Sequence, residues 1–369
     1  MSENVLITGG AGFIGRHLSQ ALLRRADKVR VLDCLLEQVH GPDAQKSARL
    51  DGVELIVGDV RDAQKLQKAL SGIDSVIHLA AEVGVGQSMY AIERYVSVND
   101  LGTASLLEAL AKKPVRRVVV ASSMSVYGEG LYQDADGKLV EDATRKQAVS
   151  LSWDPVDQLG RPLRPVPTPE WKRPNLASVY ALTKYAQERM TLAVAPAYGM
   201  EAVALRLFNV YGPGQALSNP YTGVLAIFAS RLANDKPPLL FEDGRQRRDF
   251  VHVEDVAEAF ALALENPKAN GEVYNIGSGR DRSVAEIAEA LAVAMDRPDI
   301  GPEIIGKART GDIRHCFADT SKAQRELGFT ARRDFADGLT KLSEWVAGQQ
   351  AHDRIAEARR ELEVRGLVA

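Results

Sequence analysis

Through the first third of the chain, short apolar runs alternate with stretches whose apolar residues return every three or four positions. The runs Val5–Thr8, Lys28–Asp33, Val53–Gly58, Ser75–Leu79 and Arg117–Ser122 predict five β-strands. In the last of them the Val-Val-Val-Ala core shows no alternation, the mark of a parallel strand buried on both faces. Between the runs, Leu18, Ala21 and Leu22, and later Ile92, Tyr95, Val96 and Asn99 on to Leu106, Leu107 and Leu110, read as helices. Strand alternating with helix predicts an α/β fold with a doubly wound parallel sheet and ligands at the carboxyl ends of its strands.

The rhythm breaks from Gly128 to about Pro174, a polar, proline-rich stretch read as an insertion in which Trp153 and Trp171 should pack. It resumes with a helix over Ser178–Ala195 and a strand over Ala202–Asn209, followed by a turn at Val210–Pro213. Beyond these, Gly223–Leu232, Glu254–Glu265, Val284–Met295 and Ser321–Leu327 read as helices, and Leu239–Phe241, Asp249–Val253 and Val273–Gly277 as strands. Ala351–Arg365 predicts a charged terminal helix packed through Ile355, Ala358 and Leu362. No internal repeat is present.

Composition narrows the class. The chain has 369 residues, 45% apolar and 26% charged, enough for a large domain or two coupled ones. A net charge of −3 and the absence of a basic run with interleaved aromatics argue against a nucleic-acid partner. Cys34 and Cys316 are the only cysteines, so a reducing compartment is expected and no disulfide framework. Without a signal-like or membrane-length apolar stretch, the expected location is cytoplasmic, with no membrane partner. No residue cluster calls for a metal.

Chemistry first enters at Thr8-Gly9-Gly10-Ala11-Gly12-Phe13-Ile14-Gly15, a glycine turn between strand and helix. Glycines let a pyrophosphate approach the unpaired N–H groups of a helix start, where a Cβ would block it. A tight turn without a ligand is the alternative. Asp33 ends the second strand eighteen residues beyond Gly15. There it can accept from both ribose hydroxyls of adenosine and would repel a 2′-phosphate, which favours NAD over NADP. Ala80 and Ala81 after the fourth strand leave room for a flat ring.

Ser123 follows the fifth strand, and Tyr180 and Lys184, four residues apart, share a helix face. Alcohol oxidation needs a base for the hydroxyl proton while hydride goes to nicotinamide. A phenol must fall by roughly 3 pH units, about 4 kcal/mol, to serve near neutrality. A neighbouring ammonium and a cationic nicotinamide can supply energy of that order. Ser123 would hold the substrate oxygen. A core tyrosine, a surface lysine and a capping serine form the alternative.

These motifs, with Gly58-Asp59-Val60, His78-Leu79-Ala80-Ala81, Ser122-Ser123-Met124-Ser125-Val126-Tyr127-Gly128 and Arg206-Leu207-Phe208-Asn209-Val210-Tyr211-Gly212-Pro213, occur in order. Together they resemble the extended short-chain dehydrogenase/reductase family of nucleotide-sugar epimerases and dehydratases, over nearly the whole chain. The resemblance implies a Rossmann domain over 1–209, interrupted by the insertion at about 128–174 and rejoined by about 248–277. The smaller mixed α/β substrate-binding domain would take 210–247 and 278–369. It implies NAD contacts at Gly9, Gly12, Phe13, Ile14, Gly15, Asp33, Asp59, Val60, Leu79, Ala80, Ala81, Asn99, Ser122, Tyr180 and Lys184. Asp59 and Val60 would flank the adenine, and Asn99 would support the active-site backbone and proton path. Gln87, Ser88, Ser123, Ser125, Tyr180, Asn209, Arg248 and Arg309 would meet the sugar nucleotide, the two arginines clamping its diphosphate. A homodimer packed through helices that include Tyr180's is also implied.

Departures within the family point to the reaction. Resembling dehydratases carry Thr-Asp-Glu where this chain has Ser123-Met124-Ser125, and Met124 cannot protonate a leaving hydroxyl. The plain Ser-Tyr-Lys set suits reversible hydride transfer, hence epimerisation at C4 through a 4-keto sugar. Cys316 falls where some relatives place a bulky tyrosine gate, so either a roomier sugar pocket or an ordinary buried cysteine is expected. Glu82–Tyr90, the insertion and Ala216–Gly223 are similar to the dTDP-L-rhamnose 4-epimerase group, which would make dTDP-6-deoxy-L-talose. Another nucleoside-diphosphate-sugar 4-epimerase and a 4-keto-sugar reductase are the alternatives.

Overall fold

Seven parallel strands form the main sheet in the order β13-β9-β5-β4-β1-β2-β3. They are β1 Asn4–Thr8, β2 Lys28–Asp33, β3 Val53–Val57, β4 Ser75–His78, β5 Arg117–Ser123, β9 Glu201–Leu207 and β13 Val273–Ile276. This computed structural model describes residues 2–368 apart from 26, 42, 43, 45–47, 49, 145–152, 218, 220, 222, 309, 310 and 350–354. Val118, Val119 and Val120 of β5 are fully buried, as a continuous apolar run in a two-sided parallel strand requires. The order reverses between β1 and β4, and that switch point opens the crevice in which doubly wound sheets bind ligands.

A second sheet joins β10 Asn209–Tyr211, β12 Arg247–His252, β14 Asp281–Ser283 and β16 His315–Cys316. It corrects two expectations. The run over Ala202–Asn209 does not continue as one strand: it stops at Leu207, and Asn209–Tyr211 begins anew beside β12 where a turn was expected. Likewise the stretch 248–277 opens in the second sheet and joins the main one only at β13. Between these strands the helix Val253–Glu265 packs on the main sheet and on the helix Phe13–Arg24. Phe335–Ala347, unread in the sequence, is a helix capped by Asp334, whose carboxylate accepts from the N–H groups of Ala336 and Asp337. It buries Leu339, Leu342 and Val346 against Leu225, Phe228, Ile287 and Leu291.

The insertion is not structureless. β6 Leu131–Gln133, β7 Leu139–Val140 and β8 Arg164–Val166 make an antiparallel sheet in the order β7-β6-β8. Its packing rests on Tyr132, Ala143 and Leu163, whereas Trp171, expected to pack, is 60% exposed. Backbone bonds from Gly130 to His315 and from Thr168 to Phe317 fasten it to the substrate side. The terminal helix runs Ile355–Val364, later than the expected start, which lies outside the described residues.

The helix Val179–Ala197 carries Tyr180 and Lys184 and lies against β5 and β9. Ser178 caps it by accepting from Ala181 N–H at 3.1 Å. Its Glu188, fully buried, takes a two-point hydrogen bond from Arg206 of β9, at 2.9 and 2.7 Å. Ser122 Oγ donates to the same carboxylate at 2.7 Å. Removing Glu188 strands the Arg206 charge in the interior, which costs about 3–5 kcal/mol. Urea unfolding of Glu188→Ala should show a loss of that size; a cost below about 1 kcal/mol would mean that the pair does not anchor this helix.

Candidate active site

One cleft of about 2690 Å³ runs along the carboxyl ends of β1 to β5 and between the two sheets. At one end the glycine turn packs tightly. Gly9 has φ +70°, and a Cβ there would stand 2.7 Å from Ala80 N; a Cβ on Gly15 would stand 2.4 Å from Gly10 Cα. The helix Phe13–Arg24 starts at Gly12 with no side-chain cap and no acidic residue in its first turn. Its N–H groups and dipole are thereby left for an anion. Asp33 sits beside the turn, accepting from Ala11 N–H at 3.0 Å and Leu35 N–H at 2.9 Å, one bond to each oxygen. His40 Nε2 stands 3.5 Å from the oxygen that Leu35 bonds, and the other keeps a lone pair able to receive a ribose hydroxyl. This arm fits a dinucleotide diphosphate and adenosine.

Gly9, Gly12, Phe13, Ile14, Gly15, Asp33, Asp59, Val60, Leu79, Ala80, Ala81, Ser122, Ser123, Ser125, Tyr180, Lys184, Asn209 and Arg248 all line the cleft. The Asp59 carboxyl is held below its usual range chiefly by the hydrogen bonds from Arg61. Among the described residues, Asn209 Oδ1 is buried without a hydrogen-bond partner, as are Gln215 Oε1 and Gln246 Oε1, which also border the cleft. Arg248 is steadied by donating to the carbonyls of Arg314, at 2.9 Å, and Ile313.

Several expected residues stand elsewhere. Gln87 and Ser88 do not line the cleft: Val85–Ser88 closes one helical turn, in which Ser88 is fully buried and donates to Val85 O at 2.7 Å. Gln87 is turned toward Gln38 and Tyr95 instead. Asn99, also fully buried, braces the site from behind: it bonds Glu82 N–H at 2.7 Å, Glu82 O at 3.1 Å and Thr183 Oγ1 at 2.9 Å. The Ser122 hydroxyl is committed to Glu188. Cys316 is 1% exposed beneath Thr168 of the insertion, so it neither gates nor widens the cleft. Arg309 lies outside the described residues.

At the centre, Ser123 Oγ accepts from Ser125 Oγ at 2.9 Å and from Ser125 N–H at 3.2 Å. With both lone pairs used, its proton remains to be donated into the cleft that Tyr180 also lines. Burial holds the Tyr180 phenol above its ordinary value, and the Ser123 side chain opposes that shift. Lys184 is 4% exposed, its amine donates to Gln187 Oε1 at 2.7 Å, and burial pushes its pKa down to about 7.

Gln187 and His78 went unread as site residues, although Gln187 stands three positions after Lys184 on one helix face. His78 Nδ1 lies 2.7 Å from Thr8 Oγ1 and Nε2 2.9 Å from Thr103 Oγ1.

A doubly wound sheet with an anion-ready glycine turn and a serine–tyrosine pair at its switch point defines a dinucleotide-dependent enzyme of alcohol and carbonyl chemistry. Residues 5–148 and 159–277 match the NAD dependent epimerase/dehydratase family, and the chain belongs to it. NAD is its cofactor. The unmatched residues 149–158 fall inside the insertion. The chain is 38% identical to a dTDP-L-rhamnose 4-epimerase of Burkholderia thailandensis, covering 94% of this chain and 95% of that one. A UDP-glucose 4-epimerase of Thermotoga maritima, solved with UDP-glucose, superposes with a TM-score of 0.76 at 28% identity, covering 94% and 99%. The UDP-glucose 4-epimerase of Thermus thermophilus, solved with NAD, gives 0.72 at 31% identity, covering 94% and 100%.

His78 yields a pH prediction. Burial and the Lys184 charge push its pKa down to about 3 from 6.5, so the fold holds it neutral. The unfolded chain takes up the proton first as pH falls, and stability present above about 6.5 is lost toward about 3, by about 1.4 kcal/mol per pH unit. Urea unfolding at about pH 6 and about pH 4 should show a shallower acid loss for His78→Gln than for the parent. Equal slopes would mean that His78 is not held neutral.

Proposed function

We propose that the protein epimerises C4 of a nucleoside-diphosphate hexose through a transient 4-keto sugar, interconverting dTDP-L-rhamnose and dTDP-6-deoxy-L-talose. The observation that carries this reading is the meeting of Ser123, Tyr180 and Lys184 in one cleft where Met124 stands in place of an acid. The 38% identity to the Burkholderia enzyme supports the choice of sugar nucleotide.

NAD, when bound along the glycine-turn arm, supplies the hydride acceptor and then the hydride donor. Tyr180 takes the proton of the C4 hydroxyl as that carbon is oxidised and returns it after the keto sugar presents its other face. Ser123, its lone pairs filled by Ser125, donates to the C4 oxygen and stabilises the charge developing there. Asn209 and Arg248, at the second sheet, meet the diphosphate of the substrate. The buried position of Asn99 supports its assignment as a brace for Glu82 and the Tyr180 helix.

A second copy of the chain is the expected partner. Ile92, Val96, Leu101 and Leu182 are 51%, 40%, 55% and 49% exposed on two helices that pack side by side. Such an apolar face fits a homodimer interface. Sedimentation should give a dimer for the parent and a monomer for the double variant Leu101→Glu, Leu182→Glu; a monomeric parent would overturn the pairing.

Incubation with dTDP-L-rhamnose, followed by proton NMR, should show the C4 epimer accumulating to equilibrium with no net NADH. Unchanged sugar would reject this substrate pair, and stoichiometric NADH consumption with a 4-keto sugar would make the protein a reductase. Tyr180→Phe should lower kcat by roughly 10²–10⁴-fold while NAD stays bound through desalting; undiminished turnover would remove Tyr180 as the base.

A further inference from the structure

Lys184 is buried, and its amine donates to Gln187 Oε1 at 2.7 Å. The orientation of that amide is determined by its other end. Gln187 Nε2 lies 3.2 Å from Ala80 O, which can only accept, and 2.8 Å from Thr103 Oγ1. Thr103 spends its own proton on Asn99 O at 2.6 Å, so toward Gln187 it accepts. Nε2 must therefore face the strand end, and Oε1 must face Lys184. By the same count His78 Nε2 carries the proton and donates it to Thr103, while Nδ1 accepts from Thr8 Oγ1, so the neutral imidazole leaves this arrangement intact. Gln187, Thr103, His78 and Thr8 are all at most 1% exposed, so water does not compete for these bonds.

We propose that Gln187 is a positioning residue for Lys184. Its carbonyl keeps the amine as a cation at a set distance from Tyr180, and its amide group ties that setting to the end of β4 and the helix Gly102–Lys112. The inference rests on the reading of Lys184 as part of the hydride-transfer site.

The charged and titratable groups around the amine leave Gln187 a distinct part. Glu188 acts on it from its own helix, which also carries Tyr180 one turn before it, and Glu188 is committed to Arg206 of β9. His78 faces it from β4 and is neutral, while Tyr95 packs edge-on against Tyr180 at 6.5 Å between ring centres. Burial pushes the amine toward its neutral form, opposed by the Glu188 charge. An amide oxygen at hydrogen-bond distance favours the cation, so removing it must lower proton affinity. A less charged Lys184 stabilises a Tyr180 phenolate less, so the base is formed only at higher pH.

The test is titration of ¹³Cε-lysine-labelled holoenzyme by NMR, with the Lys184 signal assigned by its loss in Lys184→Met. Gln187→Met, close in shape, should lower the Lys184 midpoint by about one pH unit, roughly a tenfold loss of proton affinity. The acid limb of its kcat profile should move to higher pH. Gln187→Glu, which keeps an acceptor at the same reach, should return the midpoint to the parent value or above it. If Gln187→Met does not fold, Thr103→Val, which removes one anchor of the amide, should shift the midpoint the same way by less. A folded Gln187→Met with an unmoved or raised midpoint overturns the proposal, as does a kcat that falls equally at every pH. The NMR arm needs no substrate, so a protein inactive on sugar nucleotides would sink the epimerase reading and leave this result standing.

Discussion

The candidate active site depends on a buried ion pair that does not line its cleft. Glu188 and Arg206 join the Tyr180 helix to β9, and the surrounding bonds reach further. Ser122 of β5 donates to Glu188, while Arg206 also donates to Tyr127 Oη at 2.9 Å and to Glu170 O at 3.1 Å. Tyr127 in turn donates to Asn275 of β13 at 2.7 Å. Three strands, one helix and the end of the insertion thus meet at two charges. Replacing such a pair with apolar side chains often costs nothing in stability. What it contributes here is geometry: apolar packing alone would let the helix slide, whereas a two-point guanidinium–carboxylate bond fixes its axial position. Tyr180 stands two turns before Glu188 on that helix, and Ser123 directly follows Ser122. Setting Ser122 against Glu188 therefore sets Ser123 against Tyr180.

Much of this was legible because a parallel strand buried on both faces writes itself as an unbroken apolar run. Val118–Val120 and Val5–Ile7 stand out for that reason. The glycine turn was legible because close backbone approach excludes every other residue there. What stayed hidden depended on partners distant in sequence. Asn209–Tyr211 looks like the tail of β9; only β12 beside it makes it a separate strand. Proline concealed the short strands of the insertion. For the site, a motif says which residues are near the reaction but not which way they face. Gln87 and Ser88 lie in a stretch that resembles substrate-binding relatives, yet one turn of helix carries Ser88 inward. Cys316 occupies the position of a gate but is roofed by a segment absent from the generic pattern.

The second polar cluster, from Thr8 through His78 and Thr103 to Gln187, poses a different physical problem. Buried neutral groups cost little once paired, and every bond in this chain can be satisfied without charge until it reaches Lys184. A protonated His78 would place a second cation in the same unsolvated space, and burial already opposes one. The cluster is therefore stable only with its charge at the lysine end. That placement puts the cation on the helix that carries Tyr180 and not on β4 with His78.

Thr8 lies on β1 immediately before the glycine turn, so the cluster also connects the two halves of the site. An epimerase must return hydride to the carbon from which it was taken, which requires the cofactor and the base to keep one relative position through both transfers. In many folds such alignment is left to packing. Here a line of hydrogen bonds runs from the strand that leads into the glycine turn to the lysine on the Tyr180 helix. A shift of β1 relative to the Tyr180 helix would have to break buried bonds, and each lost pairing costs about 1–3 kcal/mol. The same bonds that make the charge distribution unique thus resist the relative motion that reversible transfer could not tolerate.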